Sequence, residues 1–98
     1  MELKVGRNRI YSEAEDGSLL AEVTFPYLSG RRAEINHVFV DETLRGQGIA
    51  GLLMETAYEH LKRRRRTVVA TCPYAISWFA KHPEKQDILA QPLSPGQP

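Results

Sequence analysis

Arg45-Gly46-Gln47-Gly48-Ile49-Ala50 stands where the hydrophobic period of the chain changes, and its reading decides the fold. Before it, Ala33 to Val40 reads as a strand. After it, from Gln47 to about Lys62, apolar residues fall at Ala50, Leu53, Met54, Ala57, Tyr58 and Leu61. That spacing makes one stripe of an α-helix. Glu55, Glu59 and Arg63 take the opposite side, with Glu59 and Arg63 at an i,i+4 pairing interval. Thr67 to Cys72 is a β-branched apolar run without alternation, as expected for a strand covered on both faces. Residues 33–72 therefore predict strand, helix, strand, a right-handed crossover joining two parallel strands.

Towards the N-terminus the period is two. Glu2 to Val5 and Arg9 to Glu13 are short extended segments, followed by the turn cluster Glu15-Asp16-Gly17-Ser18. Leu19 to Tyr27 alternates, with Ala21, Val23 and Phe25 on one face. Ser29-Gly30 turns the chain into the strand at Ala33, which predicts three consecutive antiparallel strands. Towards the C-terminus, Pro73 suits the first position of a helix reaching about Lys81, and Pro83 stops it. That helix is broadly apolar (Tyr74, Ile76, Trp78, Phe79) and is expected to pack deeply or line a pocket. Glu84 to Leu89 predicts one further turn. The fold class is α+β (α/β), with one domain over residues 1–90 and a disordered tail over 91–98.

Composition narrows the function. The 98 residues carry 13 Lys and Arg against 12 Asp and Glu, so no strong overall field draws a polyanion. No run approaches the ~18 apolar residues of a membrane span, and Met1-Glu2-Leu3-Lys4 lacks the apolar core of a secretory signal. Cys72 is the only cysteine, so no intramolecular disulfide forms, and a reducing, cytoplasmic setting is expected. No His, Cys or acidic residues stand at metal-ligand spacing.

The chemistry gathers at the junction quoted first. A helix N-terminus presents unpaired N–H groups and partial positive charge. Gly46 and Gly48 let an anion approach that backbone, and Arg45 adds a charge-assisted contact. The alternative is a tight strand-to-helix turn with no ligand. The loop is neither a dinucleotide fingerprint, which needs a third glycine at a fixed offset, nor a Walker loop.

At these residues the chain resembles the GNAT acetyltransferase superfamily, whose acetyl-CoA signature is R/Q-x-x-G-x-G/A. The stretch His37 to Ala50, with Thr71-Cys72-Pro73-Tyr74 and Lys81-His82-Pro83-Glu84, is similar to its small single-domain N-acetyltransferase-like subfamily. The likeness covers roughly residues 2–89. It implies a minimal GNAT-like fold, acetyl-CoA as the cofactor and an amine of a protein or small molecule as acceptor. It also implies a pantetheine cleft between the strands ending at Val40 and Cys72. Backbone groups of Phe39 and Val40 would hold that arm, the amides of Gln47, Gly48, Ile49 and Ala50 the pyrophosphate, and Tyr74 would lie near the thioester.

Two residues carry the expected transfer chemistry. Cys72 ends a strand and precedes a helix, where the dipole favours the nucleophilic thiolate; the other reading is a small buried hydrophobe. His37 lies nominally on the same face as Ile35 and Phe39, and an imidazole suits a general base for an incoming ammonium. The other reading is a sheet histidine satisfied by a hydrogen bond. His37 lies about 10 Å below Val40 at ~3.3 Å per residue, so a His37–Cys72 pair needs an offset register or splayed strands. A non-catalytic acyl-CoA-binding module is the alternative function.

Lys62-Arg63-Arg64-Arg65-Arg66 reads as a solvated basic helix end and not as a nucleic-acid site. His60 is expected on the helix surface, and His82 to cap or pack at the end of the second helix.

Overall fold

The computed structural model describes residues 1–91 and 93, so most of the tail expected to be disordered lies outside the described residues. Strands β1 (Lys4–Val5), β2 (Arg9–Glu13) and β3 (Leu19–Thr24) precede β4 (Arg32–Ile35) and β5 (His37–Val40). Helix α1 (Ile49–Arg63) leads to β6 (Thr67–Ala70) and helix α2 (Pro73–Lys81), and a 3-10 turn follows at Pro83–Ile88. The fold is α+β. One sheet has the order β1-β2-β3-β5, all antiparallel, and β4 pairs β6 in parallel.

The strand expected over residues 33–40 is two strands. β5 pairs β3 with Thr24 opposite His37 and Ala21 opposite Val40, while Ala33 bridges Tyr27. Three residues, Glu34 to Asn36, thus face two, Phe25 and Pro26. Asn36 is the extra one, and its N–H still reaches Thr24 O at 3.3 Å. This is a β-bulge, and one inserted residue exchanges the faces of everything after it. Ala33 and Ile35 are buried, and past the bulge Val38 and Val40 pack on the same core. His37 and Phe39 turn to the outer face. The expectation that His37 shares a face with Ile35 is therefore corrected, while its sharing one with Phe39 stands.

The core is one cluster, to which the sheet gives Ile10, Ala21, Val23, Phe25, Ala33 and Ile35. From α1 come Leu53, Met54, Ala57, Tyr58 and Leu61, the apolar stripe less Ala50, and from α2 come Ala75, Trp78 and Phe79. Both helices contribute to this cluster, which leaves the outer face of the strands to Arg9, Tyr11, Glu22, Thr24, His37 and Phe39. There Arg9 Nε lies 2.7 Å from Glu22 Oε2, with its guanidinium 3.6 Å over the Tyr11 ring. β6 is covered unequally: Val68 is buried, while on the other face Thr67 is exposed and Val69 half-buried, which corrects the expectation of full cover on both faces.

The anticipated Glu59–Arg63 pair does not close among the described residues. Instead, α1 uses its charges to hold the 83–88 turn. Lys62 Nζ lies 2.9 Å from Asp87 Oδ2 and 3.1 Å from the Tyr58 hydroxyl, which donates to Asp87 Oδ1 at 2.8 Å. Lys85 pairs with Glu55 at 2.9 Å. His82 does pack at its helix end, with Nδ1 2.7 Å from Trp78 O and its ring stacked on the indole at 4.4 Å.

His60 is not a plain surface residue. It is half-buried, with its ring 5.6 Å from that of Phe25. Burial, then Arg64 and Arg63, lowers its pKa below the ordinary 6.5. Between pH 6.5 and that lowered value the unfolded chain binds the proton and the folded chain resists it, so this contribution to stability falls as pH falls. Thermal melts of the wild type should lose Tm progressively below about pH 6.5, and His60→Gln should flatten that part of the profile. Equal pH slopes in the two proteins would refute the assignment.

Candidate functional site

The loop after β5 is built by local hydrogen bonds. Asp41 N–H donates to Leu20 O at 2.8 Å, which ties the end of β5 to β3. The Asp41 carboxylate accepts from Thr43 N at 3.1 Å and from the Thr43 hydroxyl, and these two contacts lower its pKa. A 3-10 turn, Glu42–Leu44, follows, and Arg45 Nε donates to Val40 O at 3.2 Å. The guanidinium is thereby held beside the end of β5.

Gly46 (φ 82°) and Gly48 (φ 77°) are both left-handed, the region that glycine occupies most cheaply. Gly48 caps α1 with no side-chain hydrogen bond. The Leu52 N–H to Gly48 O bond, at 3.1 Å, is the first of the helix, so the amides of Ile49, Ala50 and Gly51 keep their donors free. A Cβ at Gly46 or Gly48 would meet no heavy atom within 4 Å. The expected donor set is therefore present on an open surface, in a form that fits a pyrophosphate.

Tyr74 spans the gap between the helices. Its hydroxyl comes within 3.9 Å of where a Gly51 Cβ would stand. Burial raises its pKa, so the hydroxyl stays neutral and able to donate. Three concavities meet at this ring. One of about 240 Å³ is lined by Val40, Leu44, Arg45, Gly46, Gly48 and Ile49, among others. A second, of about 290 Å³, runs along Val38, Phe39, Val40, Arg45 and Ala50. The third, of about 370 Å³, lies between α1 and α2 against Leu52, Glu55, Ser77 and Lys81.

The strands part beside this groove. The β4–β6 ladder ends at Ile35 opposite Ala70, and the N–H groups of Thr71 and Cys72 then converge on Ile35 O at 3.1 and 3.2 Å. Among the described residues β5 has no strand partner on that side. Hydrogen-bonded and non-bonded pairs alternate along an antiparallel ladder. Because Leu20 and Asp41 are bonded, Phe39 is bonded to Glu22, and the main-chain groups of Val38 and Val40 face the cleft. Of the two residues expected to present backbone there, Val40 does, and Phe39 spends its groups on β3. Val38 was missed, although the parity of the ladder identifies it.

Cys72 is half-buried, caps α2 without a side-chain hydrogen bond, and packs on the core face with Ala70 and Val38. His37 is exposed on the outer face. The sheet lies between their side chains, and no hydrogen bond joins them among the described residues. Outside, close to the point of parting, Glu34 Oε2 accepts from the Thr71 hydroxyl at 2.6 Å. This carboxylate shares the outer face with His37 and can attract an ammonium. Sequence reading passed over Glu34; its place between the buried Ala33 and Ile35 was the available signal. Among the described residues no group of three or more His, Cys, Asp or Glu side chains is arranged to hold a metal, and no helix is long and apolar enough to cross a membrane.

The sequence model of the GCN5-related N-acetyl-transferase family matches residues 9–88. No curated protein sequence matches the chain. A GCN5-like protein from Staphylococcus aureus, solved by NMR, is 27% identical and superposes with a TM-score of 0.78, over 97% of this chain and 92% of its own. YhbS, a GNAT-family N-acetyltransferase from Escherichia coli crystallised with CoA, is 24% identical with a TM-score of 0.54, over 63% of this chain and 38% of its own. Rv2747 from Mycobacterium tuberculosis, also crystallised with CoA, is 20% identical with a TM-score of 0.61, over 79% and 48%. The last two share the fold, and this chain spans less than half their length.

The loop geometry separates two neighbouring glycines. Gly48→Ala forces a Cβ into a left-handed residue and should cost about 1–2 kcal/mol without any clash. Gly51→Ala, inside the helix with only ordinary contact to Tyr74, should gain about 0.5–1 kcal/mol. Denaturant midpoints check the opposite signs.

Proposed function

The chain belongs to the GCN5-related N-acetyl-transferase family, and from that premise we propose that it binds acetyl-CoA and transfers the acetyl group to a primary amine. The observation that carries this reading is the free amide set of Ile49 to Gly51, at the head of a groove that runs along the open edge of β5 beside Tyr74. The pyrophosphate rests on the loop from Gly46 through Ala50, with Arg45 beside it. Val38 and Val40 offer main-chain partners to the pantetheine arm, and one of their N–H groups faces the thioester oxygen as charge develops there. Tyr74 supplies a neutral donor at the junction.

The acceptor amine comes from the outer face, where Glu34 and His37 stand. An alkyl ammonium must lose a proton before it attacks, and His37 takes it. The amine nitrogen then bonds to the acetyl carbon, the carbon–sulfur bond breaks, and its electron pair leaves on the CoA sulfur. Among the described residues no side chain hydrogen-bonds to the Cys72 thiol, so we favour direct transfer. In the alternative branch Cys72 accepts the acetyl group first. A second reading, a non-catalytic acyl-CoA-binding module, draws support from the outer face of β2, β3 and β5, which no other described element covers.

Calorimetry should detect CoA binding, and Arg45→Ala should weaken it about tenfold or more, the worth of a charge-assisted hydrogen bond. With a panel of amines and peptides, His37→Gln should lower kcat about a hundredfold. Cys72→Ala should stay within about threefold of wild type, with no acetyl adduct on the intact mass after rapid quench. An adduct at Cys72 together with an inactive Cys72→Ala would establish the covalent branch instead. CoA binding without turnover would leave the module, and no CoA binding would end the reading.

A further inference from the structure

A second concentration of charge lies at the far end of α1. We propose that Arg31, Arg32, Arg63, Arg64, Arg65 and Arg66 form one surface that binds the phosphate backbone of duplex nucleic acid, independently of the proposed acetyl-CoA site. The sequence shows four of these arginines as a helix end; the fold adds the other two. Thr67 N–H donates to Arg31 O at 2.9 Å, Arg32 stands opposite Thr67 in the β4–β6 ladder, and Arg66 Nη1 reaches Gly30 O at 3.4 Å. The turn before β4 and the end of α1 therefore meet at one pole. Arg31, Arg32, Arg63, Arg64 and Arg65 are exposed there, and among the described residues none closes an ion pair.

The helix dipole does not account for this arrangement. It favours cations in the last turn, but Lys62 already serves there and is tied to Asp87, while Arg31 and Arg32 belong to a turn and a strand. Six of the chain's 13 Lys and Arg side chains sit at this pole. Mutual repulsion of so many guanidinium groups opposes folding unless an anion offsets it.

The backbone supplies an independent observation. Arg65 N–H donates to Lys62 O at 3.0 Å and Arg66 N–H to Leu61 O at 2.9 Å, the paired bonds of a Schellman ending. In that ending the residue at Arg65 is left-handed, and Arg65 has φ 55°. Glycine is the usual occupant, because any Cβ is strained there. Arginine occupies a position where it costs stability, which points to a use for its side chain.

The chemistry of the surface selects the ligand. Guanidinium forks match phosphate oxygens in bidentate geometry, better than ammonium groups do. The nearby aromatic ring, Tyr27, has Arg66 stacked over it at 4.4 Å, so that face is closed to an unpaired base. Binding is therefore to the backbone and indifferent to sequence. A bilayer is a poorer match, because the apolar stripe of α1 is buried in the core and the pole has only the part-exposed Leu28 to insert. With 15 residues in α1, the surface lies about 22 Å from the phosphate loop.

The test is anisotropy of a labelled 20-base-pair duplex, titrated with the full chain at several salt concentrations. About five phosphate contacts should give a log–log salt slope near −4.5, and hence roughly a five-hundredfold loss of affinity between 50 and 200 mM salt. Arg31→Gln with Arg32→Gln, and Arg63→Gln with Arg64→Gln, should each reduce the slope by about two. Arg65→Gly should raise Tm by a few degrees while reducing the slope by about one, a combination that a merely structural arginine would not give. Scrambling the duplex sequence should change nothing, and saturating CoA should not displace it. No binding at 50 mM salt, binding unchanged in the glutamine variants, displacement by CoA, or retention on phosphatidylserine vesicles alone would overturn the proposal.

Discussion

The inserted residue at Asn36 is the constraint on which the site depends. A regular strand from Arg32 to Val40 would keep one alternation of faces, with His37 on the side of Ile35. The bulge breaks that regularity opposite Thr24, where the chain passes from a parallel pairing with β6 to an antiparallel pairing with β3. Two consequences follow from the same residue. The face of every later side chain is exchanged, so Val38 and Val40 help close the core while His37 and Phe39 turn outward. The β4–β6 ladder also stops at Ile35, and the main-chain groups of Val38 and Val40 border the gap, with the Val40 carbonyl accepting from Arg45 Nε.

Helix α1 makes this gap usable. Five buried residues fix it against the sheet, and burying a large apolar side chain contributes about 1.5–3 kcal/mol, so its axis and its N-terminus have little freedom. The ion pairs and hydrogen bonds from Tyr58, Lys62 and Glu55 to the 83–88 turn add a second attachment, although they are exposed enough to contribute less than the apolar contacts. With the helix fixed, its free amides point at the end of β5, and Tyr74 reaches across from α2. The two ends of the same helix present opposite problems to the fold. At one, unsatisfied donors face outward; at the other, positive charge gathers beyond what the dipole needs.

The placement of His37 and Cys72 shows how a sheet divides chemical labour. Both lie near the point where the strands part, yet one belongs to the solvent side and the other to the core side. A nucleophile and base acting as a pair need contact within about 3 Å, and the pleat denies it. The carboxylate that does share a face with His37 is Glu34, which reached that face by simple alternation before the bulge.

The sequence by itself determined the elements and the loop. Period-two runs, a period-three-and-four stripe, and glycines and prolines at their ends are local signals, carried by each segment's own residues. They located β2 and α2 to the residue and identified Gly46 and Gly48 as the start of a helix with free amides. Tertiary structure decided the rest. Nothing in Ile35-Asn36-His37 announces a bulge, because a one-residue register mismatch is a property of a pair of strands and not of either alone. For the same reason the core-side Cys72, the cleft-facing backbone of Val38, and the meeting of Arg31 and Arg32 with the end of α1 were invisible until the strands were paired. The phosphate loop could be read from the chain because its donors come from consecutive residues; the cleft and the arginine pole could not, because each is made by segments some thirty residues apart.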